Sequence, residues 1–371
     1  LMATSFHPEN FHVGAHGGPH AYNISAILTA VAISGIVFSF NGFQSPVNLA
    51  GEAKNPGRNV PLGIIGSIVL ATIVYLLLQV AFVGATEPSV LAQGGWAAIE
   101  HSSPFAQLAL ALNLNWLALL LYSDAFISPS GTGATYTTTT ARMLYGMERN
   151  GTLPKIFGRV HPRYGVPRPA MWLNLVVAFI FLFFFRGRAT PAEVISVATI
   201  ISYLTGPVSV SVLRRTAPDL DRPLRIPLLR VVAGLAFVFA TELLYWARWP
   251  RTGEIILLMV IALPVWFWYA VKRGGTDLVL QVRGALWLVF YLPAVAVLSW
   301  GGSTRFGGHG YLPYGWDLLV VAAVAVGFFA WGLACGWRTP EIDAIKLEAE
   351  THPDALMVPP DEATAERMTG R

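Results

Sequence analysis

The sequence predicts an all-α membrane protein that crosses the bilayer several times. Hydrophobic residues make up 54% of the chain and charged residues only 12%, which is about half of the ~25% charged content of soluble domains. The mean hydropathy is +0.54. Apolar runs recur along the chain with roughly the length, about 20 residues, that a helix needs to cross the hydrocarbon core. About nine runs are present, at residues 24–43, 61–84, 105–127, 170–185, 194–212, 231–247, 254–271, 285–300 and 317–337.

The basic residues predict how these runs are oriented in the membrane. Most of the 25 Lys and Arg residues fall in the loops after the first, third, fifth and seventh runs and in the tail. The opposite loops hold only Arg186, Arg188, Arg248, Arg251 and Arg305. The positive-inside rule then places residues 1–23 outside an inner or plasma membrane and the tail in the cytoplasm. This distribution accounts for the pI of about 9.2 without a nucleic-acid partner.

Metal, disulfide and nucleotide chemistry have little support in the sequence. Cys335 is the one cysteine and lies in the last apolar run, so no disulfide can form within this chain. His7, His12, His16 and His20 are spaced too loosely for a typical zinc site, which favours a solvated outer loop. No Gly-rich phosphate-binding loop with its Lys and Ser or Thr occurs, so we predict no cofactor and no ATP-driven step.

A polar break interrupts the first apolar run at Ser39-Phe40-Asn41-Gly42-Phe43. Asn and Gly are poor helix formers. At membrane depth, a helix broken by such residues is tolerated only where the freed backbone groups line a cavity or meet protein. Discontinuous helices of this kind bind substrate near the midplane of secondary transporters. The alternative is an ordinary spanning helix with a tolerated glycine, since glycine is common in such helices.

Three segments carry a family resemblance. They read Phe40-Asn41-Gly42-Phe43 with Asn48-Leu49-Ala50-Gly51-Glu52-Ala53-Lys54-Asn55-Pro56, then Thr140-Ala141-Arg142-Met143-Leu144-Tyr145-Gly146 with Arg149-Asn150-Gly151-Thr152-Leu153-Pro154, and then Tyr203-Leu204-Thr205-Gly206-Pro207 with Arg222-Pro223-Leu224-Arg225-Ile226-Pro227. In turn they resemble the sixth helix, the loop after the eighth helix, and the tenth helix with its exit, of amino acid permeases in the amino acid/polyamine/organocation superfamily. The resemblance covers roughly residues 24–230.

The resemblance implies a leucine-transporter-like fold, in which two five-helix repeats of opposite topology enclose a midplane site. Residues 24–212 would form the second repeat and residues 213–337 about four additional membrane helices. Residues 1–23 would be an extracytoplasmic loop and residues 338–371 a cytoplasmic tail. Because the resemblance begins at the sixth helix and the chain begins with Leu1, we expect this chain to lack the N-terminal transporter half.

The resemblance also implies a substrate site at the broken helix. Backbone groups around Ser39, Phe40, Asn41 and Gly42 would contact the ammonium group of an amino acid or related amine, and Phe40 or Phe43 would close over it. The alternative is that both phenylalanines face lipid or the protein core. The expected coupling ion is the proton.

Asp124 is the candidate for proton coupling. It lies in the apolar stretch 117–127, where an ionised carboxylate costs several kcal/mol unless it is paired, protonated or solvated by a cavity. The following residues 128–133 include Pro129 and are expected to loosen the helix. The alternative places Asp124 at the membrane edge or in a hydrogen bond, for example to Ser123 or Thr132. Thr137 and the three threonines after it are predicted to bond back to their own helix.

Glu242 and the histidines bear on the remaining alternatives. Glu242 lies beside Tyr245 and Trp246, a setting that favours an interfacial acid.

The predicted function is secondary active transport of an amino acid or related amine. The alternatives are a permease-derived amino acid sensor and a membrane-embedded enzyme that uses Asp124 and His161. The enzyme is disfavoured because His161 lies in a cytoplasmic loop while the N-terminal histidines lie outside.

Overall fold

The computed structural model describes residues 5–14, 24–33, 36–48, 50, 53–99, 103–149, 153–161, 164–184, 189–220, 222, 225–273, 278–339, 342–343 and 346. The helices in this part of the chain are α1 (Ile24–Ile33), α2 (Ile36–Ser39), α3 (Ser45–Asn48), α4 (Pro56–Ala85), α5 (Pro88–Leu91), α6 (Pro104–Ala111), α7 (Asn115–Arg149), α8 (Arg168–Phe184), α9 (Ala189–Thr216), α10 (Leu229–Trp246), α11 (Arg251–Arg273), α12 (Leu278–Gly301) and α13 (Trp316–Cys335). The predicted all-α polytopic membrane fold is confirmed.

Within the described residues, five helices are long and apolar enough to cross a membrane. They span Pro56–Ala85, Glu193–Thr216, Leu229–Trp246, Val279–Gly301 and Trp316–Cys335. Shorter apolar helical segments lie at Ile24–Ser39 and Arg168–Ile180. The predictions for His16, His20 and most of the cytoplasmic tail fall outside the described residues.

The chain divides into two compact units, and each is described by itself. The first unit comprises Leu1–Asn23 with Gly63–Thr139, and the second comprises Ile24–Leu62 with Thr140–Arg371.

In the first unit, the N-terminal segment caps the end of α4. The buried Asn10 side chain donates to the carbonyls of Val83 and Thr86 at 2.9 and 2.7 Å. The backbone N–H of His7 donates to the carbonyl of Gly84 at 2.7 Å. These bonds satisfy carbonyl groups that a helix C-terminus otherwise leaves unpaired.

Apolar side chains are exposed on all sides of the middle of α4, where the six consecutive residues from Ile73 to Leu78 are all exposed. Leu62, Ile65, Leu70, Leu76 and Leu77 are each more than half exposed. A helix with apolar side chains on all sides is stable when it is buried or surrounded by lipid. Because these side chains are exposed in the described chain, they are suited to the hydrocarbon core of a bilayer.

The core of the second unit lies between α1, α9, α10, α11, α12 and α13. Its centre is Phe237 on α10, which is fully buried. The Phe237 ring lies 6.0 Å from the ring of Trp287, 5.2 Å from that of Tyr291 and 5.7 Å from that of Phe329, measured between centroids. Aromatic pairs at these distances stabilise beyond their buried area. The helices after α9 therefore pack tightly on α9 and on one another.

The structure corrects the predicted run at residues 105–127, because a turn divides it. Helix α6 ends in a Schellman motif, in which Asn113 has a left-handed φ of 57°. The N–H of Leu114 donates to the carbonyl of Ala109 at 2.8 Å, and that of Asn113 donates to Leu110 at 3.0 Å. Asn is one of the few residues that adopts this conformation at a helix end.

The expected irregularity after Asp124 is also wrong. Helix α7 continues without interruption from Asn115 to Arg149 and contains Pro129. Proline removes a single helix donor, and neighbouring hydroxyls and backbone bonds compensate for such losses in membrane helices. Thr137, Thr138 and Thr139 each donate to a carbonyl of the preceding turn at 2.8, 3.0 and 3.1 Å, which confirms the prediction that they bond to their own helix.

Candidate functional site

The first apolar segment breaks at the predicted residues. Helix α2 ends at Ser39, and a turn covers the next five residues before α3 begins at Ser45. Gly42 has a φ of 109°, a backbone conformation that residues with a Cβ rarely adopt. The N–H of Ser45 donates to the carbonyl of Gly42 at 2.9 Å. A continuous helix through this segment is thereby excluded.

Two amide side chains hold the turn together. Gln44 Oε1 accepts from the backbone N–H of Gly42 at 3.2 Å, and Gln44 Nε2 donates to Asn41 Oδ1, also at 3.2 Å. The other end of the Asn41 amide donates from Nδ2 to Thr199 Oγ1 on α9 at 3.2 Å. Asn41 thus links the inside of the turn to a neighbouring helix.

An aromatic contact fixes the same turn to the same helix. The ring of Phe43 lies 5.3 Å from the ring of Tyr203, centroid to centroid. Thr199 and Tyr203 are four residues apart on α9, so they lie on one face of that helix. Phe43 is half-buried here rather than wholly turned to lipid.

Sequence reasoning missed three residues of this site: Gln44, Thr199 and Tyr203. Gln44 follows directly on the predicted site residues. Tyr203 belongs to the third family-like segment, and the polar spacing of Thr199, Ser202, Tyr203 and Thr205 within an apolar run was the available signal. Thr199 lies 158 positions after Asn41 in the chain, a separation that no local pattern bridges.

Asp124 is exposed on α7, in the first unit. Within the part of the chain that is described it makes no ion pair or hydrogen bond, and Ser123 Oγ donates instead to the carbonyl of Leu119 at 2.9 Å. The alternative of a hydrogen bond to Ser123 is therefore not found. Asp124 remains a candidate on its chemistry alone.

Glu242 is buried within the protein. Its side chain is 7% exposed, on a face of α10 that packs within the protein. Tyr245 beside it is fully buried as well. Helices α12 and α13 both pack on α10. The interfacial depth of Glu242 stays a prediction.

The described residues contain no group of three or more His, Cys, Asp or Glu side chains able to hold a metal ion. The chemistry available at the turn is that of backbone groups, amides, hydroxyls and aromatic faces. Such groups bind polar or charged organic ligands without a covalent step. A helix break of this kind within an apolar segment is typical of permeases.

The chain belongs to the amino acid permease family, whose model matches residues 3–271. It is 53% identical over 351 residues to a glutamate/serine transporter, AimA, of Bacillus subtilis, a match that covers 94% of this chain and 65% of the relative. It is 33% identical over 348 residues to an aspartate-proton symporter of the same organism, covering 92% of this chain and 66% of the relative.

A more distant relative comes from a plant. Cationic amino acid transporter 5 of Arabidopsis thaliana is 26% identical over 263 residues, which are 70% of this chain and 41% of that protein. The chain spans less than two thirds of the length of each of these relatives. No solved structure gave a significant match. All three relatives are named as transporters or symporters.

Proposed function

We propose that this protein is part of a secondary transporter that moves an amino acid across the cell membrane. The observation that carries the proposal is the helix break at residues 40–44, held to α9 through Asn41 and Phe43. A break that is fixed in this way presents unwound backbone groups at a defined place within a membrane helix. In secondary transporters such breaks bind substrate and ions.

The turn is suited to the ammonium group of an amino acid. Carbonyl groups at the end of α2 carry partial negative charge, because the C-terminus of a helix is the negative end of its dipole. The ring of Phe43, with Tyr203 behind it, offers an aromatic face to a cation or its aliphatic neighbour. Ser39, Phe40, Asn41, Gly42 and Phe43 are the proposed substrate-binding residues.

The names of the relatives suggest the substrate class. One relative is named as a glutamate/serine transporter and another as an aspartate-proton symporter. We infer an acidic or small polar amino acid as substrate and the proton as coupling ion, with Asp124 as its carrier. The proposed setting is a multi-pass protein of the inner or plasma membrane, with the N-terminal loop outside and the C-terminal tail in the cytoplasm.

We further infer that residues 24–212 form one inverted repeat and residues 213–337 additional helices. The turn would then lie at the bilayer midplane, where an inverted-repeat fold places its substrate. A cysteine at position 39 tests this depth, because a midplane residue reacts with thiol reagents only through a water-filled path. If excess substrate did not slow the labelling of this cysteine, the result would contradict the placement.

Uptake by the full-length gene product in proteoliposomes tests the transport proposal. We expect saturable uptake of radiolabelled glutamate, aspartate or serine, which increases when the outside is made acidic. The matched control is liposomes that carry the Gly42→Leu variant. Saturable binding without uptake would instead establish a sensor, and the absence of both binding and uptake would refute the proposed substrate class.

A further inference from the structure

A cluster of polar side chains is buried where α10, α12 and α13 pack together. Its two carboxyl groups belong to Glu242 on α10 and Asp317 in the first turn of α13, which are 7% and 0% exposed. Glu242 lies one turn before Tyr245 on the buried face of α10, and the Tyr245 hydroxyl contacts Asp317 at 2.8 Å. Neither belongs to the turn at residues 40–44, so the cluster is separate from the proposed substrate site.

Asp317 has all the hydrogen-bond donors that an ionised carboxylate needs. Its Oδ1 accepts from the backbone N–H of Gly315 at 2.8 Å and of Leu318 at 2.9 Å. Its Oδ2 accepts from the hydroxyl of Tyr245 at 2.8 Å. All three contacts are donors, and the group lies at the positive end of the α13 dipole. These three hydrogen bonds stabilise a negative charge on Asp317.

Glu242 has no matching set of hydrogen bonds. Its Oε2 is buried without a hydrogen-bond partner in the described part of the chain. The Tyr245 hydroxyl already donates to Asp317. Thr241 donates to the carbonyl of Phe237, so the hydroxyl of Tyr291, 2.7 Å away, donates to Thr241. The indole N–H of Trp246, one turn further along α10, is buried and makes no hydrogen bond among the described residues. An ionised Glu242 would thus be a second negative charge near Asp317, with no hydrogen bond to its Oε2.

We propose that Glu242 is a proton-binding site, occupied at neutral pH, whose proton keeps α10 packed against α13. Protonation removes the repulsion from Asp317 and makes the carboxyl group a hydrogen-bond donor. A metal ion fits less well, because it needs several oxygen ligands while the Asp317 oxygens already accept three hydrogen bonds. The site binds a proton without resting on the proposed transport function.

Other ionisable groups near this end of α10 are engaged elsewhere. Helix α1, which also packs on α10, has no ionisable side chain. The other groups near this end include Glu193 of α9, which pairs with Arg251 at 3.1 Å; Glu254 of α11, which pairs with Arg251 at 3.0 Å; and Arg305, which lies over the ring of Tyr314 at 4.1 Å. Arg248, which follows α10, is exposed. No cation among these described groups is bonded to Glu242.

Infrared difference spectroscopy on the purified full-length protein tests the proposal directly. We expect a protonated carboxyl band at neutral pH that disappears in Glu242→Gln. The matched control is Glu254→Gln, an exposed and ion-paired carboxylate in the neighbouring helix, which should leave the band unchanged. The proposal would be overturned if the band persisted in Glu242→Gln. It would also be overturned if adding sodium or potassium ions at constant pH removed the band.

A second variant covers the case in which Glu242→Gln does not fold. Asp317→Asn removes the neighbouring charge and should shift the deprotonation of Glu242 to lower pH, since only one negative charge then remains in the cluster. Thermal unfolding gives an independent measure: the wild type should lose stability as pH rises, because the unfolded chain releases the proton that the native state holds. If Glu242 deprotonated at the same pH in Asp317→Asn as in the wild type, the proposed interaction between the two carboxyl groups would be overturned.

Discussion

Asn41 Nδ2 lies 3.2 Å from Thr199 Oγ1, and this hydrogen bond joins the broken segment to α9. The same Asn41 side chain accepts from Gln44 within the turn. One amide therefore fixes both the shape of the turn and its position against the neighbouring helix. A site that is ordered before ligand arrives loses less conformational entropy on binding.

Replacing Thr199 with valine should weaken substrate binding. The change keeps the shape of the side chain and removes the acceptor of Asn41. A hydrogen bond of this kind contributes about 0.5–1.5 kcal/mol, so we expect the dissociation constant to rise about 2- to 13-fold. Thr205→Val is the control, since that hydroxyl donates to the carbonyl of Ser202 in its own helix. Equal affinities for the two variants would contradict a role for the Asn41–Thr199 bond.

Gly42→Leu should abolish substrate binding while expression remains normal. A φ of 109° is strained for any residue with a Cβ, at a cost of roughly 1–3 kcal/mol, and the added side chain would crowd backbone that approaches the ligand. Equilibrium binding of radiolabelled substrate measures the effect. The control is Gly63→Leu on α4, where a Cβ meets no atom within 4 Å. Wild-type affinity in Gly42→Leu would place the site elsewhere.

The sequence predicted the break in the first apolar segment but not what holds it. Asn41 and Gly42 are poor helix formers wherever they lie, so the break is a local property. The contacts to Thr199 and Tyr203 depend on the packing of helices distant in sequence. For the same reason the burial of Glu242 was not predicted, because adjacent aromatic residues look alike in sequence whether they face lipid headgroups or pack inside the protein. Pro129 was misread because one missing donor does not end a long helix.

Asp124→Asn tests the proposed proton carrier. The amide keeps the shape of the carboxyl group but does not titrate, so the full-length protein should retain substrate exchange and lose accumulation driven by a pH gradient. Uptake with and without an imposed gradient distinguishes these two activities. Glu87→Gln, an exposed residue outside the helices of the same unit, is the control. A variant that still concentrates substrate in response to the gradient would assign Asp124 a structural role.

Asp219→Asn should loosen the segment that follows α13. Hydrogen bonds from Arg338 and then Lys346 hold the pKa of Asp219 well below its usual range. A lowered pKa means that the contact is present above the ordinary range of aspartate and is lost only as pH falls through the lowered value. We therefore expect trypsin cleavage at Arg338 to accelerate about 2- to 5-fold in the variant at pH 7.

High salt should accelerate this cleavage in the wild type, because exposed ion pairs are screened. The rate at which trypsin cleaves the wild-type protein, corrected for trypsin activity at each pH, should stay constant between about pH 6 and 8. Both values lie above the range in which aspartate titrates. Glu254→Gln, which breaks a different exposed ion pair, is the control. If Asp219→Asn and Glu254→Gln were cleaved equally fast, the pairing with Arg338 would have no role in holding the segment.

Gly302→Ala should destabilise the protein, because its methyl group would overlap the hydroxyl of Tyr245. That hydroxyl donates to Asp317 and accepts from the N–H of Ser303, so moving it breaks two buried hydrogen bonds. Overpacking of this kind costs about 1–3 kcal/mol, to be measured by thermal unfolding. Gly327→Ala, where a Cβ meets no atom within 4 Å, is the control and should change the unfolding temperature little.

A double-mutant cycle with Tyr245→Phe separates the overlap from other effects of the alanine. Tyr245→Phe alone removes a donor to Asp317, which leaves a buried carboxylate short of one hydrogen bond and costs about 1–3 kcal/mol. In the double variant the closest overlap, with the hydroxyl, is absent, while the ring Cζ of residue 245 and the carbonyl of Leu298 remain 2.8 and 2.9 Å from the added Cβ. The two losses should therefore combine to less than their sum. Additive losses would show that Gly302 is required for a reason other than its approach to Tyr245.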